Sequence, residues 1–526
     1  MTPQMTSLLF VLFAIPIPSA NQQWTRVTTP RFTIVSATGE RETRELARNL
    51  ETLASALGDL QPGANLPPTR VIVFARRGEA QPYLDLLLNH AQSNATGVFV
   101  LQRGAATMLV DVSRGRVADR TPYHELVHYL LSAAPQHPPL WLEEGIAEYY
   151  SNAQIHGGEI RVGLPVREHL VRLRRPNLLR ARDVLAMTRS SPRATDLMFY
   201  AESWAIVDWM LRTSRRSFDA FVHDVASGTP SDVALVTHFH TRPDGLDDII
   251  RNYTPQVTSF ILALGLRANV TSIEKATHAE FVFELGRLLA LVDRAASDAD
   301  LHLHAVLEEA PQHALALAWL GRLRSRATKD EEAFALFERA IASDPNDGTI
   351  HLMYAEALLR PEIGGGLAET TEHTSADIPR FRHARELAEK ASALHADETR
   401  TLGAIGTSYI VEDDATPGIA PLERAHALFP QRTDYPLHLL SLYLRSGERA
   451  KADALAAQLE TTLAPPLKAV MYAVLLREEL ACINTLIDTG EHEGAVDALR
   501  NLVASTKDPN TKQQLAQQLA MLEQAP

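Results

Sequence analysis

The spacing of apolar residues changes along the chain, and the first part alternates between strand-like and helix-like patterns. From Trp24 to about Ser113, four short alternating runs surround one helical segment, GERETRELARNLETLASAL; the runs are RFTIVSA, RVIVFA, TGVFVLQ and ATMLVDVS. Alternation with a period of two is typical of strands, whereas apolar residues three and four apart are typical of helices. We therefore predict a mixed α/β lobe over residues 21–120.

From Pro122 to about Leu266 the apolar spacing becomes helical, in the segments YHELVHYLLSA, LWLEEGIAEYYSN, FYAESWAIVDWMLR and FDAFVHDVA. The first two segments are separated by APQHPPL, whose prolines cannot continue a helix and restrict the residues before them. The pattern predicts a helical lobe over residues 121–270.

From residue 276 to residue 526 the pattern is nearly all helical, and a repeat of about 34 residues emerges. The first unit has its small and large apolar positions at Leu317, Leu320, Gly321, Ala333, Phe337, Ala340 and Pro345. Similar spacing follows at Tyr354, Ala355 and Leu358, resumes after an insertion at Ala384, Ala388 and Ala391, and continues through Leu402, Gly406, Tyr409, Ala425, Pro430, Leu439, Tyr443 and Ala452. These units resemble tetratricopeptide repeats (TPRs), which implies an all-α solenoid that binds a protein partner. The alternative is an irregular helical bundle.

Length and charge limit the functions to consider. A chain of 526 residues is too long for one compact core and should form several domains. A formal net charge of −13 provides no general attraction for phosphate backbones, so we expect no nucleic-acid partner. The basic stretch Arg167–Arg182 is interpreted as a solvated face, with an acidic ligand or an anionic membrane surface as the alternative.

Residues 1–20 have the pattern of a signal peptide. An apolar core from Leu8 to Ile17 precedes Pro-Ser-Ala, which predicts cleavage after Ala20 and export to a periplasmic or extracellular location. No Lys or Arg precedes the core, so retention as an N-terminal membrane anchor is the alternative. The apolar core is too short to span a bilayer as a helix, and we expect no transmembrane helix after cleavage. Cys482 is the only cysteine, so no intrachain disulfide can form.

The segment YHELVHYLL contains a His-Glu-x-x-His motif at His124, Glu125 and His128. Two histidines four residues apart project from one face of a helix, so both imidazoles can bind one zinc ion. Glu125 lies about 100° further round the helix, where its carboxylate can accept a proton from a zinc-bound water without being a ligand. The motif predicts a Zn²⁺ cofactor and Glu125 as a general base.

A zinc hydrolase needs a third protein ligand and an open position for water. The second helical segment, LWLEEGIAEYY, offers Glu143 and Glu144 after the proline-rich turn. The alternative is an ordinary amphipathic helix, with Leu142 and Ile146 on its apolar side and Glu144 among its solvated residues.

The two segments together resemble the gluzincin metallopeptidases, the superfamily of thermolysin and the aminopeptidase N-like enzymes. Their second helix contains Trp-Leu-x-Glu-Gly, which matches Trp141 to Gly145 here. The resemblance implies that Glu144 is the third zinc ligand and that Glu148, one turn later, supports a zinc-bound histidine from behind. It also implies an oxyanion donor at Tyr200 in FYAESWAIVDWML, with Tyr149 as the next candidate.

The resemblance extends over roughly residues 24–266, and the pattern is most similar to that of peptidase MA-like domains. It implies an α+β, zincin-like metallopeptidase domain ahead of the helical repeats. It further implies that TMLVDV, from Thr107 to Val112, is the strand that pairs with substrate, the alternative being an ordinary sheet strand. A Gly-x-Met-Glu-Asn segment is absent from the sequence before the zinc helix, so recognition of a free amino terminus is not implied.

The leading hypothesis is an exported zinc-dependent peptidase, expected to be an endopeptidase, whose repeats bind a peptide or protein substrate or a partner. Two alternatives stay open. One is a TPR scaffold with a structural or inactive zinc domain, and the other is a zinc hydrolase that acts on a non-peptide bond.

Overall fold

The computed structural model describes residues 15–58, 68–76, 78–88, 95–102, 105–113, 120–132, 138–253, 259–263, 265, 268–359, 377–430, 432–506 and 508–524. Residues 1–14 of the predicted signal peptide and residues 360–376, which include most of the predicted insertion in the repeats, lie outside this set. The chain forms two compact units, Met1–Pro311 and Gln312–Pro526.

The first unit contains a six-stranded and a three-stranded sheet. The strands are β1 Trp24–Thr28, β2 Phe32–Ser36, β3 Thr69–Phe74, β4 Gly97–Gln102, β5 Ala105–Asp111, β6 Gln154–His156, β7 Glu159–Val162, β8 Phe260–Ala263 and β9 Ser272–Ala276. The large sheet has the order β4-β5-β3-β2-β1-β9, and the small sheet has the order β6-β7-β8. In the large sheet β2, β3 and β5 run parallel, while β4, β1 and β9 pair antiparallel with their neighbours.

Twelve α-helices belong to the described part of the first unit. They are α1 Glu40–Ala56, α2 Gln81–Leu87, α3 Thr121–Leu131, α4 Leu140–Ser151, α5 Arg167–Leu173, α6 Ala181–Leu185, α7 Leu197–Thr213, α8 Arg215–Ala226, α9 Ser231–Phe239, α10 Pro243–Arg251, α11 His278–Ala290 and α12 Ala296–Glu309, with a 3₁₀ turn at Asp293–Ala295.

Helices cover both faces of the large sheet. Val71 and Val73 of β3 share a buried core with Leu46 and Leu50 of α1, and α3 and α4 contribute to the same core. Phe74, the residue after Val73, points to the other face, where its ring lies 5.5 Å from that of Phe281 in α11. This division follows from the two-residue period of a strand.

The helices α11 and α12 therefore belong to the first unit, although the sequence pattern assigned residues from 276 onward to the repeats. The Trp24 ring of β1 stacks on Phe281. The buried Arg287 of α11 donates to Thr107 Oγ1 of β5 at 2.9 Å and forms an ion pair with Glu284. The boundary between the units falls after Pro311.

Residues just before the predicted cleavage site contact α11, α12 and α2. The Ile15 N–H donates to Asp298 Oδ1 at 2.8 Å, and Tyr83 Oη donates to the Pro16 carbonyl at 3.2 Å. His278 Nε2 lies 2.7 Å from the Pro18 carbonyl oxygen, and Pro18 is buried. Residues 15–18 thus contact the first unit through hydrogen bonds, and of these residues Pro18 is buried.

The second unit is a TPR-like array of helix pairs. Its described helices are α13 Ala314–Arg326, α14 Asp330–Ser343, α15 Gly348–Leu358, α16 Ile378–Ala393, α17 Glu398–Thr407, α18 Ile419–Leu428, α19 Asp434–Arg445, α20 Arg449–Thr462, α21 Pro465–Asp488, α22 His492–Ser505 and α23 Pro509–Glu523, with a 3₁₀ turn at Thr416–Gly418. The helices from α13 to α20 pack in pairs, α13 with α14, α15 with α16, α17 with α18 and α19 with α20. Helices α21, α22 and α23 pack one after another.

Small residues at the predicted repeat positions allow the close pairing. A Cβ added to Gly321 of α13 would lie 3.1 Å from the Ala333 carbonyl oxygen and from the Phe337 ring of α14. Ala333, Phe337 and Ala340 are fully buried. The repeat spacing in the sequence thus corresponds to the interface within a helix pair.

Among the described residues, no helix combines the length and the apolarity needed to cross a bilayer.

Candidate metal centre

Helix α3 presents the two histidines of the motif on one face. Pro122 lies in its first turn, where a missing backbone N–H costs no helical hydrogen bond. Leu126 and Val127 are fully buried in the core, whereas His124 and His128 keep 16% and 13% of their side-chain surfaces exposed. Their ring centroids lie 4.7 Å apart, as expected for side chains one helical turn apart.

Helix α4 brings Glu144 to the same place, and Gly145 allows this helix to lie against α7. A Cβ at Gly145 would be 2.6 Å from the Ser203 carbonyl oxygen and 2.6 Å from Val207 Cγ2. The glycine is therefore needed for a close helix–helix contact directly beside Glu144.

Three potential ligand atoms converge. His124 Nε2 and His128 Nε2 lie 3.0 Å apart, and they lie 3.4 Å and 3.5 Å from Glu144 Oε2. Ligands of a tetrahedral zinc ion, with bonds of about 2.0–2.1 Å, are about 3.3 Å apart, so the spacing fits this metal. Glu144 Oε2 is buried and forms no geometrically acceptable hydrogen bond among the described residues, which also fits a metal ligand. Within the described ranges, these three residues form the one group of three His, Cys, Asp or Glu side chains with the spacing of a metal site.

The other ring nitrogen of each histidine, Nδ1, faces a carboxylate. His128 Nδ1 lies 2.9 Å from Glu143 Oε1, and His124 Nδ1 lies 3.5 Å from Glu148 Oε1. Carboxylates at this position orient a histidine and select the tautomer whose Nε2 is free to bind metal. Glu148 thus lies on the side of His124 that faces away from Glu144. Glu143, one of the two carboxylates considered as third ligand, instead contacts the far side of His128 and pairs with Arg189 at 2.6 Å.

The cluster contains an excess of buried negative charge. Burial lowers the pKa of His128, but the carboxylates of Glu144 and Glu143 outweigh this effect and hold that pKa well above its usual value. Burial likewise raises the pKa of Glu144, but the two histidines outweigh it and hold the Glu144 pKa far below its usual value. The carboxylates around the two histidines outnumber the guanidinium groups that contact them; the carboxylates are Glu125, Glu143, Glu144 and Glu148, and the guanidinium groups are those of Arg120 and Arg189.

Glu125 lies between the histidines and strand β4. Glu125 is 8% exposed and lies beside the backbone of Phe99 in β4. Burial raises the pKa of Glu125, and the nearby histidines oppose that rise without cancelling it. A Cβ at Gly97 would be 3.1 Å from Glu125 Oε1 and 2.4 Å from Thr121 Cγ2, so the glycine allows the strand to approach the carboxylate.

Strand β4, and not β5, is the edge of the sheet next to Glu125. The segment Thr107 to Val112 was expected at the cleft edge, but β5 lies between β3 and β4 and is paired on both sides. That expectation was wrong because β4, the strand before β5 in the chain, pairs antiparallel with β5 on its outer side and so forms the edge of the sheet. The Thr96 carbonyl, just before β4, accepts a hydrogen bond from the Asp111 N–H of β5. In an antiparallel pair, the backbone groups of successive residues point alternately towards and away from the neighbouring strand, so those of Gly97, Phe99 and Leu101 point away from β5.

Tyr200 lies near the metal-ligand cluster. Asp196 caps α7 by accepting from the Met198 N–H at 2.9 Å, which places Tyr200 in the first turn of this helix. The Tyr200 ring centroid is 6.5 Å from that of His124. Tyr149, the other candidate, lies with its hydroxyl beside Gly163, where an added Cβ would be 2.8 Å away.

Three residues around the cluster were missed by the sequence analysis. Arg120 and His169 both contact Glu148, and Arg189 contacts Glu143. His169 belongs to the basic stretch that was interpreted as a solvated face, yet it is only 5% exposed. No local spacing distinguishes these residues from surface residues, because their partners lie on other helices.

Comparisons with known proteins give one family model and several similar solved structures. A family model described as "Protein of unknown function (DUF1570)" matches residues 121–232, which include α3, α4 and α7. The match contains the three candidate ligands together with Glu125 and Tyr200. No curated protein sequence matches the chain significantly.

Two solved structures are similar to part of the chain. A thermophilic TPR protein from Thermus thermophilus is 21% identical, with 38% of this chain and 99% of that chain covered and a TM-score of 0.30. The pilF protein of Pseudomonas aeruginosa is 16% identical, with 46% of this chain and 97% of that chain covered and a TM-score of 0.32. At these TM-scores, neither similarity adds to what the helix pairs of the second unit themselves establish.

Proposed function

We propose that the first unit is a zinc-dependent hydrolase that cleaves peptide bonds, within an exported protein. The observation that supports this proposal most is the convergence of His124 Nε2, His128 Nε2 and Glu144 Oε2 at the spacing of tetrahedral zinc ligands. A zinc ion held by these residues would supply a Lewis acid that lowers the pKa of a water molecule.

Glu125 is the proposed proton acceptor. It follows His124 directly in α3, so its carboxylate is near the ligands but is directed towards β4 and is not one of the three converging groups. A carboxylate within reach of the attacking water can take its proton and pass it to the leaving amine. Tyr200 is proposed to donate a hydrogen bond to the oxyanion, since it lies beside His124 at the start of α7.

The geometry of β4 favours a peptide over other substrates. Gly97, Phe99 and Leu101 direct backbone groups away from β5 along the sheet edge that adjoins Glu125. An extended peptide can pair with such an edge as an added strand, whereas a small ester cannot use several backbone groups in succession. A peptidase is therefore favoured over a hydrolase of non-peptide bonds.

The TPR-like helical array supports a second candidate function, a scaffold that binds a protein partner. Stacked helix pairs form extended surfaces suited to such binding. In the scaffold hypothesis the metal centre would serve the structure of the first unit alone. In the peptidase hypothesis the array would recruit a substrate or partner.

Zinc content and peptide cleavage distinguish these proposals. Wild type, Glu125→Gln, Glu144→Gln and the control Glu284→Gln, a buried glutamate paired with Arg287, are purified and zinc is measured by mass spectrometry. We expect about one zinc ion per chain in all but Glu144→Gln, and cleavage of a mixed peptide library only by wild type and the control.

Zinc in both wild type and Glu125→Gln with cleavage by neither would favour the scaffold. Cleavage of an ester panel but no peptide would favour the non-peptide hydrolase. Absence of zinc from wild type, even after incubation with excess zinc, would refute the metal centre.

A further inference from the structure

His169 is a buried histidine that the proposed chemistry does not use. It lies in α5, and its Nε2 atom is 2.9 Å from Glu148 Oε2. Its ring centroid is 5.5 Å from that of Trp204 in α7, the helix that also contains Tyr200. The residue thus contacts both the carboxylate behind His124 and a neighbouring helix of the candidate site.

The two oxygens of Glu148 have different partners. Oε2 accepts from Arg120, the residue directly before α3, and lies against His169 Nε2. Oε1 faces His124 Nδ1 at 3.5 Å. Two donors on one oxygen fix the rotation of the carboxylate, so the other oxygen remains directed at the histidine.

We propose that His169 is a positioning residue of the metal centre, which holds Glu148 in the orientation that presents His124 Nε2 to the metal. This inference rests on the proposed metal-binding function. Arg120 alone would leave the carboxylate with one anchor. The contact from His169 supplies a second anchor from a different helix.

The environment of the ring argues against a role in packing alone. His169 Nδ1 is buried and lacks a hydrogen-bond partner among the described residues. Burying an unpaired polar atom costs free energy, which a phenylalanine or leucine against Trp204 would avoid. The Nε2 contact to Glu148 is the feature that an apolar residue could not reproduce.

The test uses the full chain and three substitutions of His169. Glutamine can place an amide N–H close to the position of the imidazole Nε2, asparagine is polar but too short to reach Glu148, and phenylalanine fills the space without a donor. The control is His302→Phe, which replaces another buried histidine of the first unit, one that contacts Tyr83 and not the metal cluster. Zinc affinity is measured by competition with a chromogenic chelator, and the Co²⁺-substituted proteins are compared by their visible absorption spectra.

We expect His169→Phe and His169→Asn to weaken zinc binding about 10- to 100-fold and to change the Co²⁺ spectrum, as is typical when a partner behind a metal ligand is lost. His169→Gln should retain most of the affinity and the wild-type spectrum. His302→Phe should lower the melting temperature without changing either readout.

The outcomes separate this inference from the proposed function. Wild type that binds zinc, together with unchanged affinity in His169→Phe and His169→Asn, would overturn the positioning role and leave the metal centre standing. Equal losses in all three His169 variants and in His302→Phe would also overturn it, since general destabilisation would then explain the result. Wild type that binds neither Zn²⁺ nor Co²⁺ would overturn both proposals.

Discussion

Replacing Gly145 by alanine perturbs the helix contact that holds Glu144 in place. The added Cβ would lie 2.6 Å from the Ser203 carbonyl oxygen and 2.6 Å from Val207 Cγ2, whereas ordinary contacts of this kind begin near 3.4 Å. The α4 and α7 helices must therefore separate by roughly 0.8 Å, or the side chain of Val207 and the backbone of Ser203 must both move.

The expected loss of stability follows from two opposing effects. Overpacking a core typically costs about 1–3 kcal/mol, and the upper half of this range applies because one obstacle is a backbone carbonyl and not a flexible side-chain tip. Alanine regains about 1 kcal/mol over glycine in a helix interior. The net expectation is a loss of about 1–2 kcal/mol in the free energy of unfolding of the first unit, accompanied by weaker zinc binding because Glu144 moves with α4.

Differential scanning calorimetry and chelator competition measure the two effects. The matched control is Gly494→Ala in α22, where the nearest atoms to an added Cβ are 3.8 Å and 3.9 Å away in Leu486. It should leave the transition of the first unit and the zinc affinity unchanged. A Gly145→Ala protein that is as stable as wild type and binds zinc equally well would show that the close contact is not required.

Three further predictions concern titration and catalysis. Burial raises the pKa of Glu202 to about 8, so the folded state binds an extra proton above pH 4.5 and the free energy of unfolding should fall as pH rises from about 4.5 to 8. Glu202→Gln should flatten this slope in urea titrations, and an unchanged slope would contradict the assignment. Burial opposes ionisation of Glu356, but the charge of Arg400 outweighs this effect and lowers the Glu356 pKa to about 2. The ion pair should therefore stabilise the second unit above pH 4.5 and lose this effect as the pH falls towards 2. Glu356→Gln should therefore lower the free energy of unfolding of the second unit by about 3 kcal/mol at pH 7 but by little near pH 2. Equal decreases at both pH values in urea titrations would argue against the ion pair. Tyr200→Phe should keep its zinc but lower kcat for peptide cleavage about 100-fold with little change in KM, and an unchanged kcat would exclude Tyr200 as the oxyanion donor.

The local parts of the candidate site were accessible from the sequence. His124 and His128 lie four residues apart in one helix, and helical geometry alone brings their side chains together. Glu144 required a second helix, so its role came from a resemblance between segments and not from spacing. The structure brings its Oε2 atom to the two histidines.

The remaining parts depend on which elements meet in three dimensions. Helix α11 has the same apolar periodicity as the repeat helices, and periodicity does not say whether its buried face meets a sheet or another helix. The order of β4 and β5 in the sheet depends on the path of the chain, which alternation within either strand does not specify. The contact between His169 and Glu148 joins α5 to α4 and leaves no regular spacing in the sequence.

The contacts of residues 15–18 bear on when the predicted cleavage after Ala20 could take place. In the folded unit, the backbones of Ile15, Pro16 and Pro18 are hydrogen-bonded and Pro18 is buried. Cleavage after Ala20 would therefore have to occur before α11 and α12, more than 250 residues later in the chain, dock against this segment. A chain that folds first would hold residues 15–18 against the first unit, so the order of folding and of the predicted cleavage would decide whether this segment stays in the protein.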